Sequence, residues 1–213
     1  MDTKRHWDEI YGTNAASDVS WFQPEARLSL EVIQEAVPAR GSAILDVGGG
    51  ASTLVDGLLG AGYTALTVLD LSSAALAQAR ERVRVLGERV TWLEADILSA
   101  RLPAAEVDLW HDRAVFHFLT TQGERHRYIE QVRRAVRPGG HLLIATFAED
   151  GPTRCSGLEV ARYSPQALHA EFGAGFRLVR GYREDHLTPR GAHQAFTYCL
   201  CRWEPHAAVP PAT

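Results

Sequence analysis

An aspartate and three glycines fall within five residues, Asp46-Val47-Gly48-Gly49-Gly50, between an apolar run and a helical pattern that opens at Ser52. Glycines at such a junction let the backbone approach a ligand closely, and a helix start offers unpaired N–H groups. A second apolar run ends in Val68-Leu69-Asp70-Leu71-Ser72, which sets a carboxylate twenty residues past Gly50. A carboxylate at the tip of the neighbouring strand can accept both hydroxyls of a ribose. Three kinds of nucleotide loop compete for this pattern. A phosphate loop needs GxxxxGK followed by Ser or Thr, and no lysine follows these glycines. A dinucleotide fingerprint needs Gly or Ala at a third position, where Thr53 stands, and this weakens a nicotinamide-dependent reductase. Asp46-x-Gly48-x-Gly50 with Asp70 as its partner remains.

A second group of reactive side chains lies in Trp110-His111-Asp112-Arg113-Ala114-Val115-Phe116-His117. In an open α/β sheet the ligand crevice lies outside the carboxyl ends of the strands, so a strand exit of this kind is the place for a base and for orienting groups. Asp112, at the strand tip, is placed to meet a bound nucleoside or to take a proton. Arg113 and His117 are expected to face a substrate, with His117 as a further candidate base. His111, inside the strand, reads as a buried histidine. The stretch from Phe147 to Leu158 and on to Arg162-Tyr163-Ser164 follows the fifth strand, beside the same crevice, where loops carry function more often than packing. Cys155, Arg162 and Tyr163 are its substrate-binding candidates, and Arg162 could clamp a carboxylate bidentately. His186, closing the sixth strand, is the third candidate base. Cys199 and Cys201 share one strand face and read as packing.

These groups need a scaffold that gathers strand ends. Apolar runs over 43–47, 65–69, 90–93, 107–111 and 141–147 read as strands, with helical patterns over 52–59, 73–86 and 123–136 between them. Strands this apolar, separated by helices, imply a parallel sheet covered on both faces. A short helix over 165–171 and strands over 176–182 and 195–203 follow. The predicted fold is α/β, Rossmann-like and doubly wound: a mostly parallel seven-stranded sheet with an antiparallel C-terminal strand pair. Two amphipathic segments, 5–11 and 24–37, precede the sheet as lid helices joined by the polar stretch 12–20. Trp7, Tyr11, Trp21 and Phe22 read as their anchors. The expected organisation is one domain over 1–203, with lid helices in 1–38, a binding core in 43–147, a substrate-side insertion and closing strands in 148–203, and a flexible tail in 204–213.

The 213 residues, 46% hydrophobic, suffice for one substantial core. With a net charge of −4 and no Lys/Arg run longer than two, a nucleic-acid partner is disfavoured. No window is apolar enough for a membrane span and the opening residues lack the apolar stretch of a secretory signal, so a cytoplasmic address without a membrane partner is expected. Three cysteines with no CxxC pair read as free thiols, and no metal site is expected.

Leu45 to Gly50 resembles the first motif of class I S-adenosylmethionine-dependent methyltransferases, and Leu69-Asp70 resembles the second. Glu94-Ala95-Asp96-Ile97 is similar to the third, and Arg137-Pro138-Gly139-Gly140-His141-Leu142 to the turn before the fifth strand. His6-Trp7-Asp8, Tyr11 and Ser20-Trp21-Phe22-Gln23-Pro24 are similar to openings found in bacterial small-molecule methyltransferases of this class. The resemblance implies S-adenosylmethionine as cofactor, with Asp46, Gly48, Gly49 and Gly50 along its methionine end. It puts Asp70 on the ribose, Leu71 on the adenine, and Asp96 with Ile97 at the adenine amine and edge. Gly49 stands where many relatives carry Cys, Ala or Ser, a departure expected to matter little. Trp21 is expected to close over the sulfonium, since aromatic faces favour cations, and Asp112 to touch the cofactor from the strand tip. The Asn/Asp-Pro-Pro-aromatic motif of DNA and some protein methyltransferases is absent after the fourth strand, which argues against adenine or amide nitrogen as acceptor. The implied reaction is in-line displacement of the methyl group onto a nitrogen, oxygen or sulfur atom of a small-molecule acceptor. A protein lysine methyltransferase and a non-catalytic S-adenosylmethionine-binding protein remain as alternatives.

Overall fold

The structure, a computed structural model, describes residues 3–84 and 86–205, so the expected flexible tail lies outside the described residues from 206 onward. Helices α1 (Thr3–Thr13) and α2 (Arg27–Ala36) precede strand β1 (Ala43–Val47). Helix α3 (Leu54–Gly60), β2 (Ala65–Asp70), α4 (Ser73–Val83), β3 (Val90–Glu94) and β4 (Val107–Arg113) then alternate. Helix α5 (Gln122–Ala135) leads to β5 (Val136–Phe147), the hairpin β6 (Arg154–Cys155) and β7 (Leu158–Glu159), and α6 (Pro165–Phe172). Strands β8 (Phe176–Leu187) and β9 (His193–Trp203) finish the chain.

Seven strands form one sheet in the order β3-β2-β1-β4-β5-β9-β8. The first five pair in parallel, and β9 runs antiparallel to both β5 and β8. This is the Rossmann-like, doubly wound architecture that the apolar runs and helical patterns predicted. Strand order reverses between β1 and β4, and a crevice opens at such a switch point.

Alternation along the strands decides which side chains meet. Ile44, Leu66, Leu109 and Leu143 pack with Ile33 of α2 and with Val55 and Leu58 of α3. Leu45, Leu69, Trp110 and Ile144 pack on the other face with Tyr128 and Val132 of α5 and with Phe172 of α6. The same parity places Asp46 and its register partner His111 toward α2, and sends Asp112 toward α5, where Tyr128 donates to it.

Element ends follow local hydrogen bonding. Helix α3 starts at Leu54 because the Ser52 hydroxyl accepts from the Leu54 amide (3.1 Å) and the Ser52 amide donates to Gly49 (3.0 Å). Helix α5 opens with a reciprocal capping box between Thr121 and Glu124. Strand β5 begins at Val136, earlier than expected, since Val136 pairs with Val107 and a register shift absorbs the turn at Gly139 (φ +80°). Strand β8 runs five residues past its expected end, to Leu187, and this extension carries Glu184 and His186. No helix among the described residues is long and apolar enough to cross a membrane.

Candidate functional site

The glycine loop is shaped from both sides. The Gly48 amide donates to the Leu69 carbonyl (2.7 Å) and the residue adopts φ +69°, a left-handed conformation that favours glycine. A Cβ there would also overlap Val115 Cγ2. The Asp70 carboxylate accepts from the Gly50 amide (2.9 Å) and the Ser72 amide (2.8 Å), and a Cβ on Gly50 would lie 2.6 Å from Asp70 Oδ2. Burial pushes the Asp70 carboxyl up to about 6, against the opposing pull of those amides.

Asp46 is tied down beneath the loop. His111 Nδ1 lies 2.7 Å from Asp46 Oδ1, and His111 Nε2 lies 2.9 Å from Ser29 Oγ on α2. Asp46 Oδ2 is buried without a hydrogen-bond partner among the described residues. A Cβ on Gly49 would overlap that same oxygen. The expectation that the middle glycine matters little meets an obstacle here: with Asp46 held by His111, a Cβ at Gly49 requires the carboxylate to shift.

A cavity of about 550 Å³ opens at the strand ends. Gly48, Asp70, Leu71, Asp96 and Ile97 line it, with Val115 against Gly48, and Arg113, Phe118 and Cys155 line it as well. Its roof is aromatic: Trp7 and Tyr11 from α1, and Trp21 from the segment after it. Trp21 Nε1 donates to the Tyr11 hydroxyl (3.1 Å), and Trp7 meets Phe118 edge-on at 5.2 Å between ring centroids. The roof is pinned to the core where the Ser72 hydroxyl donates to Asp8 (2.7 Å), Gln78 to the Tyr11 carbonyl (2.7 Å) and Thr53 to the Gln23 carbonyl (3.0 Å).

Arg113 joins the roof to the sheet. Its guanidinium donates to the Tyr198 hydroxyl (2.8 Å), to Glu184 (3.0 Å) and to the Trp21 carbonyl (3.3 Å), and it lies 4.1 Å above the Phe196 ring. Gln23 donates to the second Glu184 oxygen (2.7 Å). Arg113 thus lines the cavity while its charge is matched inside the protein. Cys155 also lines it, from the β6–β7 hairpin, and burial pushes its thiol up to about 11, so it stays protonated at neutral pH.

Other expected residues are not brought to the cavity wall. Asp112 turns inward to accept from the Val115 amide (2.8 Å), the Phe116 amide (3.1 Å) and Tyr128, and burial pushes it up to about 6. His117 is fully buried between Phe118 and Phe147, both ring nitrogens unpartnered among the described residues. Burial, with the Arg113 charge adding to it, drives the imidazole down to about 3, which makes it a weak base. His186 is held by the Ser20 carbonyl (2.8 Å) and steadies the roof segment instead. Arg162 donates to the Glu149 (2.7 Å) and Gly151 (3.1 Å) carbonyls, and Tyr163 packs in the core beside Phe116.

Sequence reasoning took Trp7 and Tyr11 for packing anchors, although their four-residue spacing on α1 put both rings on one face. The roles of Glu184, Tyr198 and Gln23 had no local signal, because their partners are far away in sequence.

Residues 44–140 match a family model described as a methyltransferase domain. Over 120 residues the chain is 30% identical to an uncharacterized methyltransferase of Mycobacterium tuberculosis, covering 54% of this chain and 56% of that protein. The chain thus spans about half the length of the curated relatives it matches. A SAM-dependent methyltransferase of Anabaena variabilis superposes with a TM-score of 0.75 over 96% of each chain, at 13% identity. A 1,6-didemethyltoxoflavin-N1-methyltransferase of Burkholderia thailandensis, solved with 1,6-didemethyltoxoflavin and S-adenosylhomocysteine, gives 0.70 over 95% of this chain and 84% of that one, at 18% identity. At these identities the structural likeness is one of fold.

Proposed function

We propose that this chain, a class I S-adenosylmethionine-dependent methyltransferase, moves the cofactor's methyl group onto a nitrogen, oxygen or sulfur atom of a small molecule held beneath Trp7, Tyr11 and Trp21. The observation that carries this reading is the cavity of about 550 Å³, walled by the motif residues and by Arg113, Phe118 and Cys155. Pockets for one drug-sized ligand run from roughly 300 to 1,000 Å³. A cavity of this size, shared with a cofactor, supports a small acceptor.

The residues present fit an adenosyl group with a methionyl tail. Asp70, once ionised, can accept from ribose hydroxyls, and Leu71 and Ile97 offer apolar surface for a base. Asp96, at the exposed rim, already accepts from the Leu98 amide (2.9 Å) and keeps a second oxygen for an exocyclic amine. Gly48 presents bare backbone, and Asp46 Oδ2 lacks a partner. S-adenosylmethionine, when bound, supplies a methyl group already activated on a sulfonium sulfur. The chain contributes positioning and exclusion of water. The aromatic roof offers π-faces to a cation, and the Arg113–Glu184 pair holds that roof against the sheet. Asp112, His117 and His186 act in this reading as supports for the strand exit and the roof segment.

Two measurements test it. Calorimetric titration is expected to show S-adenosylmethionine binding by the chain and its loss in Asp70→Ala; binding indifferent to that substitution ends the cofactor assignment. Labelled-methyl transfer to a panel of small amines, hydroxy compounds and thiols tests the acceptor. Transfer to protein lysine alone would replace it with the protein-acceptor reading, and binding without transfer with the non-catalytic one.

A further inference from the structure

The buried trio Ser29–His111–Asp46 takes no part in the cavity wall, and it is costly. All three side chains are almost wholly buried, Ser29 at 1% exposure and the other two at 3%. Apolar side chains of similar volume would pack there without the desolvation such groups carry. The trio also leaves one carboxylate oxygen, Asp46 Oδ2, without a partner. A buried carboxylate oxygen left unpaired calls for a donor.

The space beside it is defined. A second cavity of about 40 Å³ is bounded by Asp46, His111, Gly48 and Gly49 from the sheet and by Tyr11 and Trp21 from the roof. That is room enough for a small polar group, the size of a water molecule or an ammonium. Arg113, which also borders it, is engaged by Glu184 and Tyr198. The ring of His111 sets the geometry: its Nδ1 lies 2.7 Å from Asp46 Oδ1 and its Nε2 2.9 Å from Ser29 Oγ, so the carboxylate is oriented through one oxygen and the other is left open. An arginine or lysine at this position would neutralise the carboxylate. Gly49 leaves the clearance that this rotamer needs.

We propose that His111 is a positioning residue: anchored by Ser29 of α2, it fixes Asp46 so that Oδ2 is held at the glycine loop as the receptor for the ammonium group on the methionyl end of the cofactor. This rests on the cofactor reading above, and it gives the core helix α2 a direct hydrogen-bonded line to the cofactor loop.

The test compares S-adenosylhomocysteine with its analogue lacking only the α-amino group, by calorimetry on the full chain. The unsubstituted protein is expected to prefer the amino compound by about tenfold or more, the scale of one charge-assisted hydrogen bond. His111→Leu should shrink that preference to about twofold or less, chiefly by weakening the amino compound. His111→Asn, whose amide nitrogen stands near the place of Nδ1, should restore the preference, and His111→Gln, whose amide reaches toward Ser29, should not. Equal weakening of both compounds by His111→Leu would mean a merely structural histidine and overturn the inference. So would the absence of any preference in the unsubstituted protein. If that protein bound neither compound, the cofactor reading itself would fall, a result distinct from loss of the preference alone.

Discussion

The two sides of the cavity are held in different ways. On the glycine-loop side the holds are short and use backbone: Gly48 to Leu69, Gly50 and Ser72 to Asp70, Ala95 to Asp70. On the Arg113 side they are long side chains converging from the roof segment, β4, β8 and β9, with Arg113 reaching 71 residues to Glu184 and 85 to Tyr198. A site built from backbone amides depends on loop shape and tolerates little at its glycines. A site built from a buried ion pair depends on the register of distant strands, and it fails when either partner goes.

The largest expected effect therefore lies on the Arg113 side. Arg113→Met strands Glu184, whose side chain is only 15% exposed, without its cation. Removing one member of a buried pair costs about 3–5 kcal/mol, to be read by chemical denaturation. A loss under about 1 kcal/mol would place this pair with weak surface pairs and break the comparison. On the other side, Gly48→Val forces a branched side chain into a left-handed conformation and against Val115. Cofactor affinity in calorimetry should fall by about 100-fold or more, near 2.7 kcal/mol. Retained affinity would show that the loop can be reshaped, and the contrast between the two sides would lose its basis.

The same contrast explains what the sequence made legible. Strands β1 and β2 ended within a residue of expectation because both run from buried apolar residues into a loop at the cavity, and spacing alone singled out Asp70, which the structure places on the cavity wall. The edge strand β8 is exposed and carries Arg177, Arg180, Arg183 and Glu184 along its length. Its continuation through Glu184 and His186 to Leu187 follows from pairing with β9, whose residues lie downstream. His117 and Asp112 follow the strand exit that a crevice needs, yet packing against Phe147 and hydrogen bonding to Tyr128 turn them inward. No pattern short of the assembled sheet encodes those partners.

Protonation sharpens the comparison at a smaller scale. Asp70 has a folded value of about 6 against 3.8 ordinarily, so between those values the folded chain holds a proton that the unfolded chain has released. Its contribution to stability is thus fully present below about 3.8 and is lost as pH rises through about 6. Ribose hydroxyls need the ionised carboxylate as acceptor, so cofactor affinity should move the opposite way, falling up to about tenfold for each unit below pH 6. Asp112, also near 6 but turned toward Tyr128, should share the stability slope and leave the affinity slope alone. Calorimetry across pH 5 to 8 in roughly unit steps is the check, with Asp70→Asn expected to flatten the affinity profile. A slope that survives Asp70→Asn would assign it elsewhere.

The smallest effect is the most discriminating, because it falls on the position whose role the sequence understated. Gly49 has no positive φ, so alanine is conformationally acceptable there, and the obstacle is Asp46 Oδ2 with Val68 Cγ1 at 3.1 Å. Gly49→Ala must push the carboxylate off its place, and His111 resists that push through Oδ1. A few-fold loss of cofactor affinity is expected, about 1 kcal/mol. The strain requires both the new methyl group and the histidine tether. In a His111→Leu background the carboxylate is free to swing, so the added cost of Gly49→Ala should fall toward zero. Additive losses in that double-mutant cycle would show that the two residues act independently. The glycine loop would then be held by backbone alone, with no side-chain line from α2 beneath it.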